Sequence, residues 1–222
     1  MSEYTDYGYT YEGGTTCHQY LYPDLKKTIH KEKNQVILDL GCGNGFLTKQ
    51  LLNDDFNAYG TDASEMGIKI AKKTHPERFF VQDINSEKLP DELSLISFDT
   101  IISTEVIEHL YNPRLFIKFC YQILKDQQGE LILSTPYHGY LKNLMIALTN
   151  KFDHHVNPLW LGGHIKFWSY QTLKKILEEE YENGLLVYSC PYSNNKKNGI
   201  VMSVNENGQK TECIFVDGKQ IK

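Results

Sequence analysis

The stretch that most constrains this chain runs from Val36 to Gly45, VILDLGCGNG. An apolar run is followed by an acidic residue, by three glycines at alternate positions, and by Phe46 and Leu47, which open a helical pattern. Val36, Ile37, Leu38 and Leu40 predict a short strand buried on both faces, as in a parallel sheet. Gly41, Gly43 and Gly45 let the chain turn sharply and bring bare backbone close to a ligand. The N–H groups opening the next helix would face whatever sits in that turn. The dinucleotide fingerprint G-x-G-x-x-G does not fit, because Phe46 stands where its third glycine belongs. Asp39, just before the turn, would repel a pyrophosphate and suits a ligand with a cationic part. A tight strand-to-helix turn without a ligand is the plainer alternative.

Beyond this loop the chain alternates strand and helix signals. A helix is expected from Thr15 to about His30, marked by Tyr20, Leu21, Leu25 and Ile29 and interrupted early near Pro23. Asn57 to Thr61 predicts a second strand ending at Asp62, 21 positions after Gly41. An acidic residue at the end of the second strand of a nucleotide-binding βαβ unit grips ribose hydroxyls. Its alternative is a cap for the helix that opens near Ser64, a role either residue can fill. Further strands are expected at Arg78–Val81, Phe98–Ser103 and Leu131–Ser134. Between the last two lies a helix entered at Pro113 and facing inward through Leu115, Phe116, Phe119, Ile123 and Leu124.

From Thr135 to Trp168 the pattern changes, becoming rich in aromatic residues and histidine, with a helical stretch at Leu141–Leu148. That is too many large apolar residues for a plain exposed loop. Residues 135–168 read as a substrate-side insertion over the carboxyl ends of the strands, where open α/β sheets bind ligands. Ser169 then caps a helix carrying Leu173, Ile176 and Leu177, whose Glu178–Glu180 run is a solvated face. Leu185–Tyr188 and Ile200–Val204 are expected as an antiparallel pair, Cys213–Val216 as an added strand, and Asn194–Asn198 as a loop. At the other end, Tyr4, Tyr7, Tyr9 and Tyr11 are costly to leave in water, so residues 1–14 read as a tail that folds over the site, with a mobile tail as the alternative, and residues 1–30 as an N-terminal cap segment. The whole is a single domain, 1–222. Its fold class is α/β, a Rossmann-like doubly wound, mostly parallel seven-stranded sheet. The last strand is antiparallel, and a lid is inserted between the fifth strand and the last helix.

Composition narrows the function classes. The net charge of −5, with no long basic run, argues against tight binding to a nucleic-acid backbone. Five scattered cysteines without a C-x-x-C pair point to reduced thiols and a cytoplasmic setting. The polar, acidic N-terminus is unlike a signal peptide, and no apolar run is long enough to span a membrane.

With LDLGCGNG, Asp62, the FDTIIS strand and the EVIEHL segment in order, the chain resembles class I S-adenosylmethionine (SAM)-dependent methyltransferases over roughly residues 30–204. EVIEHL makes it most similar to the branch containing ubiquinone-pathway O-methyltransferases. The ammonium and sulfonium of SAM are the cationic parts that suit Asp39. The resemblance implies that Asp39, Gly41, Cys42, Gly43, Asp62 and Ala63 line the cofactor. It adds Asp83 at the adenine amino group, Ile84 on the ring, and Ser103 and Glu105 at the far end of the fourth strand. The implied reaction is O-methylation of a small-molecule acceptor. Methylation of nitrogen, of a protein or of RNA, and a non-catalytic SAM-fold module, stay open alternatives.

Two sets of residues carry the chemistry expected beyond the cofactor. His138, just past the fifth strand in TPYHG, is the first candidate base, followed by His109 and His164, because histidine titrates near neutral pH. A structural hydrogen-bonding role for His138 is the alternative. Glu105, Glu108 and His109 stand at i, i+3 and i+4, which on a helical turn gathers three metal-binding groups on one face. The resembled branch uses an E-x-x-E-H set for Mg2+, and these residues match it one by one. Surface or SAM-contacting roles without metal are the competing reading.

Overall fold

The computed structural model describes residues 6–14, 16–29, 36–127, 129–156, 158–160 and 162–180, and the backbone of short strands between 187 and 220. It divides into two compact units, residues 1–103 with 119–132 and residues 104–118 with 133–222.

The first unit is built on parallel strands. β1 (Ile37–Leu40), β2 (Ala58–Asp62), β3 (Phe79–Val81), β4 (Thr100–Thr104) and β5 (Glu130–Ser134) stand in the order β5-β4-β1-β2-β3, a five-stranded parallel sheet. β1 is central: Ile37 pairs with Ala58 on one side and with Thr100 on the other. All four of its residues are buried, which the apolar run required. Strand order reverses at β1, with β2 on one side and β4 on the other, so a ligand crevice belongs at the carboxyl end of β1. Phe79, Phe98, Ile101, Ile102 and Leu38 fill the core around these strands.

α1 (Thr16–Thr28) buries Leu21 and Leu25, with Ile29 just beyond its end. It runs through Pro23, where an interruption was expected, and the exposed proline ring is carried on its outer side. α2 (Phe46–Asn53) buries Leu47, Thr48 and Leu51, and α3 (Glu65–Ala71) buries Gly67, Ile68 and Ala71. Ser64 caps α3 by accepting from the Gly67 N–H at 2.9 Å. Met66 on this helix is exposed.

α4 (Pro113–Leu124), whose residues 113–118 fall in the second unit and 119–124 in the first, opens on the buried Pro113, as predicted. α5 (Tyr140–Leu148), α6 (Phe152–Val156) and α7 (Tyr170–Glu180) follow. The Thr172 N–H donates to the Ser169 hydroxyl, and Leu173, Ile176 and Leu177 are buried. The chain then turns to β6 (Val187–Tyr188), β7 (Tyr192–Ser193), β8 (Lys196–Lys197), β9 (Gly199–Val204), β10 (Lys210–Val216) and β11 (Lys219–Gln220). β6 pairs with β9, β9 with β10 and β10 with β11, all antiparallel.

This corrects the expected seven-stranded sheet with one antiparallel last strand. The parallel part has five strands, and the antiparallel part is a run of four. Parallel pairing needs a crossover of a dozen or more residues, usually a helix, and no helix is described after α7. β7 and β8 also pair, so Lys196–Lys197 is strand where Asn194–Asn198 was expected as loop. Tyr4, Leu185, Asn194 and Asn198 lie outside the described residues. Residues 135–168, expected as a substrate-side insertion, carry much of their apolar surface to solvent, including Leu141, Met145, Leu148 and Phe152. Among the described residues no helix is long and apolar enough to cross a membrane.

Candidate active site

The three glycines after β1 all adopt left-handed backbone, with φ of 88° at Gly41, 58° at Gly43 and 77° at Gly45. A side chain at Gly45 would run into the Phe79 ring and Ala71, so this residue fixes how α2 packs on the sheet. The Gly41 and Cys42 N–H groups both donate to the Thr61 carbonyl, at 2.8 and 2.9 Å, which ties the loop to β2. Asp62 completes the tie. Its two oxygens accept from the Gly43 N–H and the Ser64 N–H, each at 2.8 Å. Burial raises the Asp62 carboxyl above its ordinary range, and these two bonds pull it back. Each oxygen retains a second lone pair for a ligand hydroxyl.

Asp39 is 1% exposed. One of its oxygens accepts from the Thr48 hydroxyl at 2.6 Å, and the other, Oδ1, has no hydrogen-bond partner. Burial, reinforced by the charge of Asp62, pushes this carboxyl up to about 7. A buried carboxylate with an unused oxygen, one residue before the glycine loop, fits a ligand that brings a positive charge.

Asp83 and Ile84 follow β3, and there Asp83 accepts from the Asn85 N–H and side-chain amide, capping a short turn at Ile84–Ser86. Ser103 is buried, and its hydroxyl donates to the Leu40 carbonyl at 2.8 Å, which joins β4 to β1. Cys42 packs its sulfur against Ile68, Ala71 and Phe79, leaving its backbone toward the loop. Burial raises its thiol well above the usual range. Ala63 is half-buried between Asp62 and Ser64.

Residues 6–14 lie on this loop. The Tyr9 hydroxyl occupies the space that a Cβ on Gly43 would need. The Asn44 amide donates to the carbonyls of Tyr11 and Gly13, at 2.9 and 3.0 Å. Asp6 accepts from the Ser64 hydroxyl at 2.8 Å and from the Met66 N–H at 3.3 Å. Burial works to raise the Asp6 carboxyl, but these bonds and that from Gly8 hold it below its ordinary value. The tyrosines signalled that this segment packs somewhere. Asp6 and Asn44, which anchor it, carried no spacing signal.

In the second unit, Glu105 follows β4 with φ of 57°, a left-handed conformation uncommon outside glycine. Its N–H donates to the Ser134 carbonyl at 3.1 Å, and its carboxylate accepts from the Ser134 hydroxyl at 2.9 Å. Burial pushes Glu105 up to about 6, against the Ser134 bond and the charge of Lys142. Glu108 is buried in the short turn Ile107–His109 and accepts from the Thr135 hydroxyl at 2.8 Å, while its Oε1 makes no hydrogen bond and lies 3.9 Å from His109 Nε2. Burial, and then the neighbouring Glu105, raise it well above the usual carboxylate range. Its backbone carbonyl accepts from the Ile165 and Lys166 N–H groups, bringing His164 to His109 with ring centroids 4.9 Å apart. Burial lowers both imidazoles, His164 to about 4 with help from the charges of His109, His138 and Lys142.

The structure therefore gathers Glu108, His109 and His164, with ligand atoms within 4.8 Å of one another, and not the expected Glu105, Glu108 and His109. The left-handed turn at Glu105 breaks the helical spacing that would have aligned it. One carboxylate and two imidazoles do not fit Mg2+, which takes oxygen ligands. They form the softer set found with transition ions.

His138 lies apart from that trio. Its N–H donates to the Trp168 carbonyl at 2.8 Å, and its ring meets Phe167 edge-on at 5.0 Å. Nδ1 is 3.3 Å from the Asn143 side-chain oxygen and Nε2 is 3.5 Å from Lys142 Nζ. Lysine can only donate, so this pairing favours the tautomer with the proton on Nδ1 and the lone pair on Nε2. Burial and the Lys142 charge both lower His138, keeping the ring neutral at pH 7.

A methyltransferase domain family matches residues 18–181. The mitochondrial ubiquinone biosynthesis O-methyltransferase of Rattus norvegicus is 32% identical over 157 residues, 68% of this chain and 44% of that protein. The ubiquinone biosynthesis O-methyltransferase of Pseudomonas aeruginosa is 29% identical over 142 residues, 57% of this chain and 60% of that one. The chain thus spans about half the length of these relatives. Among solved structures, magnesium protoporphyrin IX methyltransferase from Synechocystis PCC 6803 with bound SAH superposes with a TM-score of 0.57 at 17% identity, covering 91% of this chain and 80% of that one. That likeness establishes the α/β Rossmann-like fold.

Proposed function

The chain belongs to the methyltransferase domain family, and from that premise we propose that it transfers a methyl group from SAM to an oxygen of a small-molecule acceptor. The observation that carries the proposal is Asp39, buried with an unused oxygen where β1 enters three left-handed glycines. The names of the relatives, at about 30% identity, favour oxygen over nitrogen as the acceptor atom.

When bound, the sulfonium supplies a methyl group already activated for in-line displacement. The tasks of the chain are then to orient, to exclude water and to accept a proton. Gly41 and Gly43 offer backbone free of side chains. Asp62 accepts ribose hydroxyls through the lone pairs left after its two N–H bonds. Asp39 neutralises the amino-acid ammonium. Asp83 and Ile84 take the adenine, and Ala63, Cys42, Ser103 and Glu105 complete the lining. Residues 6–14 close over the loop through Tyr9, Asp6 and Asn44. His138, neutral and with its lone pair on Nε2, receives the proton of the acceptor hydroxyl. No step is assigned to a metal.

Isothermal titration with S-adenosylhomocysteine tests the first half of this reading, and mass spectrometry of a metabolite extract incubated with methyl-labelled SAM tests the second. Binding together with label in a small molecule is the expected result. Binding without transfer to any acceptor would mark a SAM-binding module, and absence of binding would end the proposal.

A further inference from the structure

Glu105, Glu108 and His109 are the set that the sequence spacing offers to a metal, and the fold takes that set apart. Glu105 sits in left-handed backbone, with φ of 57°, and its carboxylate accepts from the Ser134 hydroxyl at 2.9 Å. His164 stands beside Glu108 and His109 in its stead, so that one carboxylate oxygen and two imidazole nitrogens lie within 4.8 Å of one another.

The arrangement of these three side chains points to a cation. Glu108 is 1% exposed, and its Oε1 makes no hydrogen bond, while Oε2 accepts from the Thr135 hydroxyl at 2.8 Å. A buried carboxylate oxygen without a donor is unfavourable until a positive charge meets it. That oxygen lies 3.9 Å from Nε2 of His109. Nδ1 of the same ring is 3.3 Å from the Gly163 carbonyl, which can only accept. The proton of the neutral ring therefore sits on Nδ1, and Nε2 presents its lone pair on the side of Glu108. A carbonyl that fixes one ring nitrogen while the other faces a carboxylate is how outer partners orient a metal-binding histidine. His164 is brought in by the backbone of Glu108 itself, whose carbonyl accepts from the Ile165 and Lys166 N–H groups at 3.0 and 2.9 Å. Around the set, the charges of Glu105 and Glu108 stand against that of Lys142, a balance that favours a cation. Both imidazoles are only part-buried, which gives an ion a way in.

We propose that Glu108, His109 and His164 bind Zn2+ or a transition ion of like preference, with Glu105 outside the coordination and a fourth position open. Two imidazoles and one carboxylate form a set that Zn2+ takes, whereas Mg2+ demands a shell of oxygens. Ligand atoms on a tetrahedral Zn2+ stand about 3.3 Å apart, so Glu108 and His109 need close by only roughly 0.6 Å. The E-x-x-E-H spacing thus survives in this chain without the Mg2+ set it implies. Ion binding is independent of the methyl transfer proposed above, and no step of that reaction runs through it.

Calorimetry on the full chain, first stripped with a chelator, tests this with Zn2+ and with Mg2+, and Co2+ serves as a spectroscopic probe. Zn2+ should bind one per chain, at least about 100-fold more tightly than Mg2+, and Co2+ should give the visible absorption of a four-coordinate site. His164→Ala and Glu108→Gln should each weaken Zn2+ binding at least about 100-fold and bleach the Co2+ band. Thr135→Val, which removes only the hydroxyl that orients Glu108, should weaken it about tenfold. Glu105→Gln should change it by no more than about threefold, the loss of a nearby charge without the loss of a bond. His154→Ala combined with His155→Ala, both exposed on α6, should leave the Co2+ band intact. Melting curves without metal show which variants fold, and His164→Ala, at a half-buried position, keeps the test open if Glu108→Gln does not. Zn2+ binding that survives His164→Ala, or that is lost with His154 and His155, overturns the proposal. So does Mg2+ binding as tight as Zn2+ and abolished by Glu105→Gln, or failure to bind either ion.

Discussion

Asp62, at the end of β2, and Glu108, in the turn after β4, are carboxylates withdrawn from water, but they are satisfied in different ways. Both Asp62 oxygens accept backbone N–H groups, one from Ser64 two positions away and one from Gly43, 19 positions away within the same βαβ unit. Glu108 keeps one oxygen bonded to Thr135 and the other without a hydrogen bond, 3.9 Å from His109 Nε2, and its histidine neighbour His164 arrives from 56 positions further along the chain. The glycine loop is thus pre-organised by local backbone. The Glu–His cluster depends on long-range closure, through the Ile165 and Lys166 N–H groups on the Glu108 carbonyl. Local organisation should make the first region intolerant of backbone change, and the second sensitive mainly through the chemistry of its side chains.

Gly43→Val tests the intolerant side and has the largest expected effect. The left-handed backbone costs a branched residue about 1–2 kcal/mol, and the Tyr9 hydroxyl fills the space a Cβ needs. Calorimetry should show S-adenosylhomocysteine affinity reduced at least about 100-fold. Unchanged affinity would remove the loop from the site. His138→Gln probes the other side. Glutamine keeps hydrogen-bonding capacity but accepts no proton, so turnover should fall about 100-fold while S-adenosylhomocysteine affinity holds. Near-normal turnover, measured with the acceptor found by mass spectrometry, would return His138 to a structural role.

A smaller effect separates the regions by pH. The Asp39 carboxyl sits at about 7 without ligand. A cationic ligand favours its ionised form, so binding below pH 7 must release a proton. Affinity for SAM should rise about tenfold from pH 6 to pH 8 and then level, if the ligand lowers this carboxyl by about two units. Asp39→Asn should flatten that profile. The stability sign is opposite. A carboxyl raised by folding favours the native state fully only below its unfolded value near 4, and that contribution is lost as pH rises through about 7. Calorimetric proton release that does not change with pH in the parent chain would refute the assignment.

These contrasts explain what the sequence revealed. The strand β1, the glycine turn, the Ser64 cap and the entry of α4 at Pro113 are local, set by residues within one turn of each other, and all are found where expected. The Glu105 spacing misled because i, i+3, i+4 assumes a helix, whereas a left-handed residue turns its side chain to Ser134. His164 joins Glu108 and His109 through backbone bonds from Ile165 and Lys166, and nothing in the local pattern announces a pairing across that distance. Within residues 135–168 periodicity fixes which residues share a face of α5, not which way that face points, and Leu141, Met145 and Leu148 are exposed.

The smallest effect concerns the N-terminal segment, whose tyrosines announced packing but whose anchors did not. Asn44 holds residues 11–13 through two bonds from one amide, and its own oxygen accepts from the Phe46 N–H at 3.3 Å. Alanine at this position leaves both carbonyls to water and the loop otherwise intact. Each lost bond is worth about 1 kcal/mol at most, and the released carbonyls become hydrated, which returns part of that loss. If the segment closes the cofactor site, Asn44→Ala should speed cleavage after Glu12 by a glutamate-specific protease and weaken S-adenosylhomocysteine binding about threefold to tenfold. Saturating ligand should slow that cleavage in the parent chain, because closing and binding are linked and each must favour the other. Faster cleavage with unchanged affinity would separate the segment from the cofactor and leave it a clasp on α3. Protection by ligand in both chains, reached at a higher concentration in the variant, would make residues 6–14 part of the locally organised region.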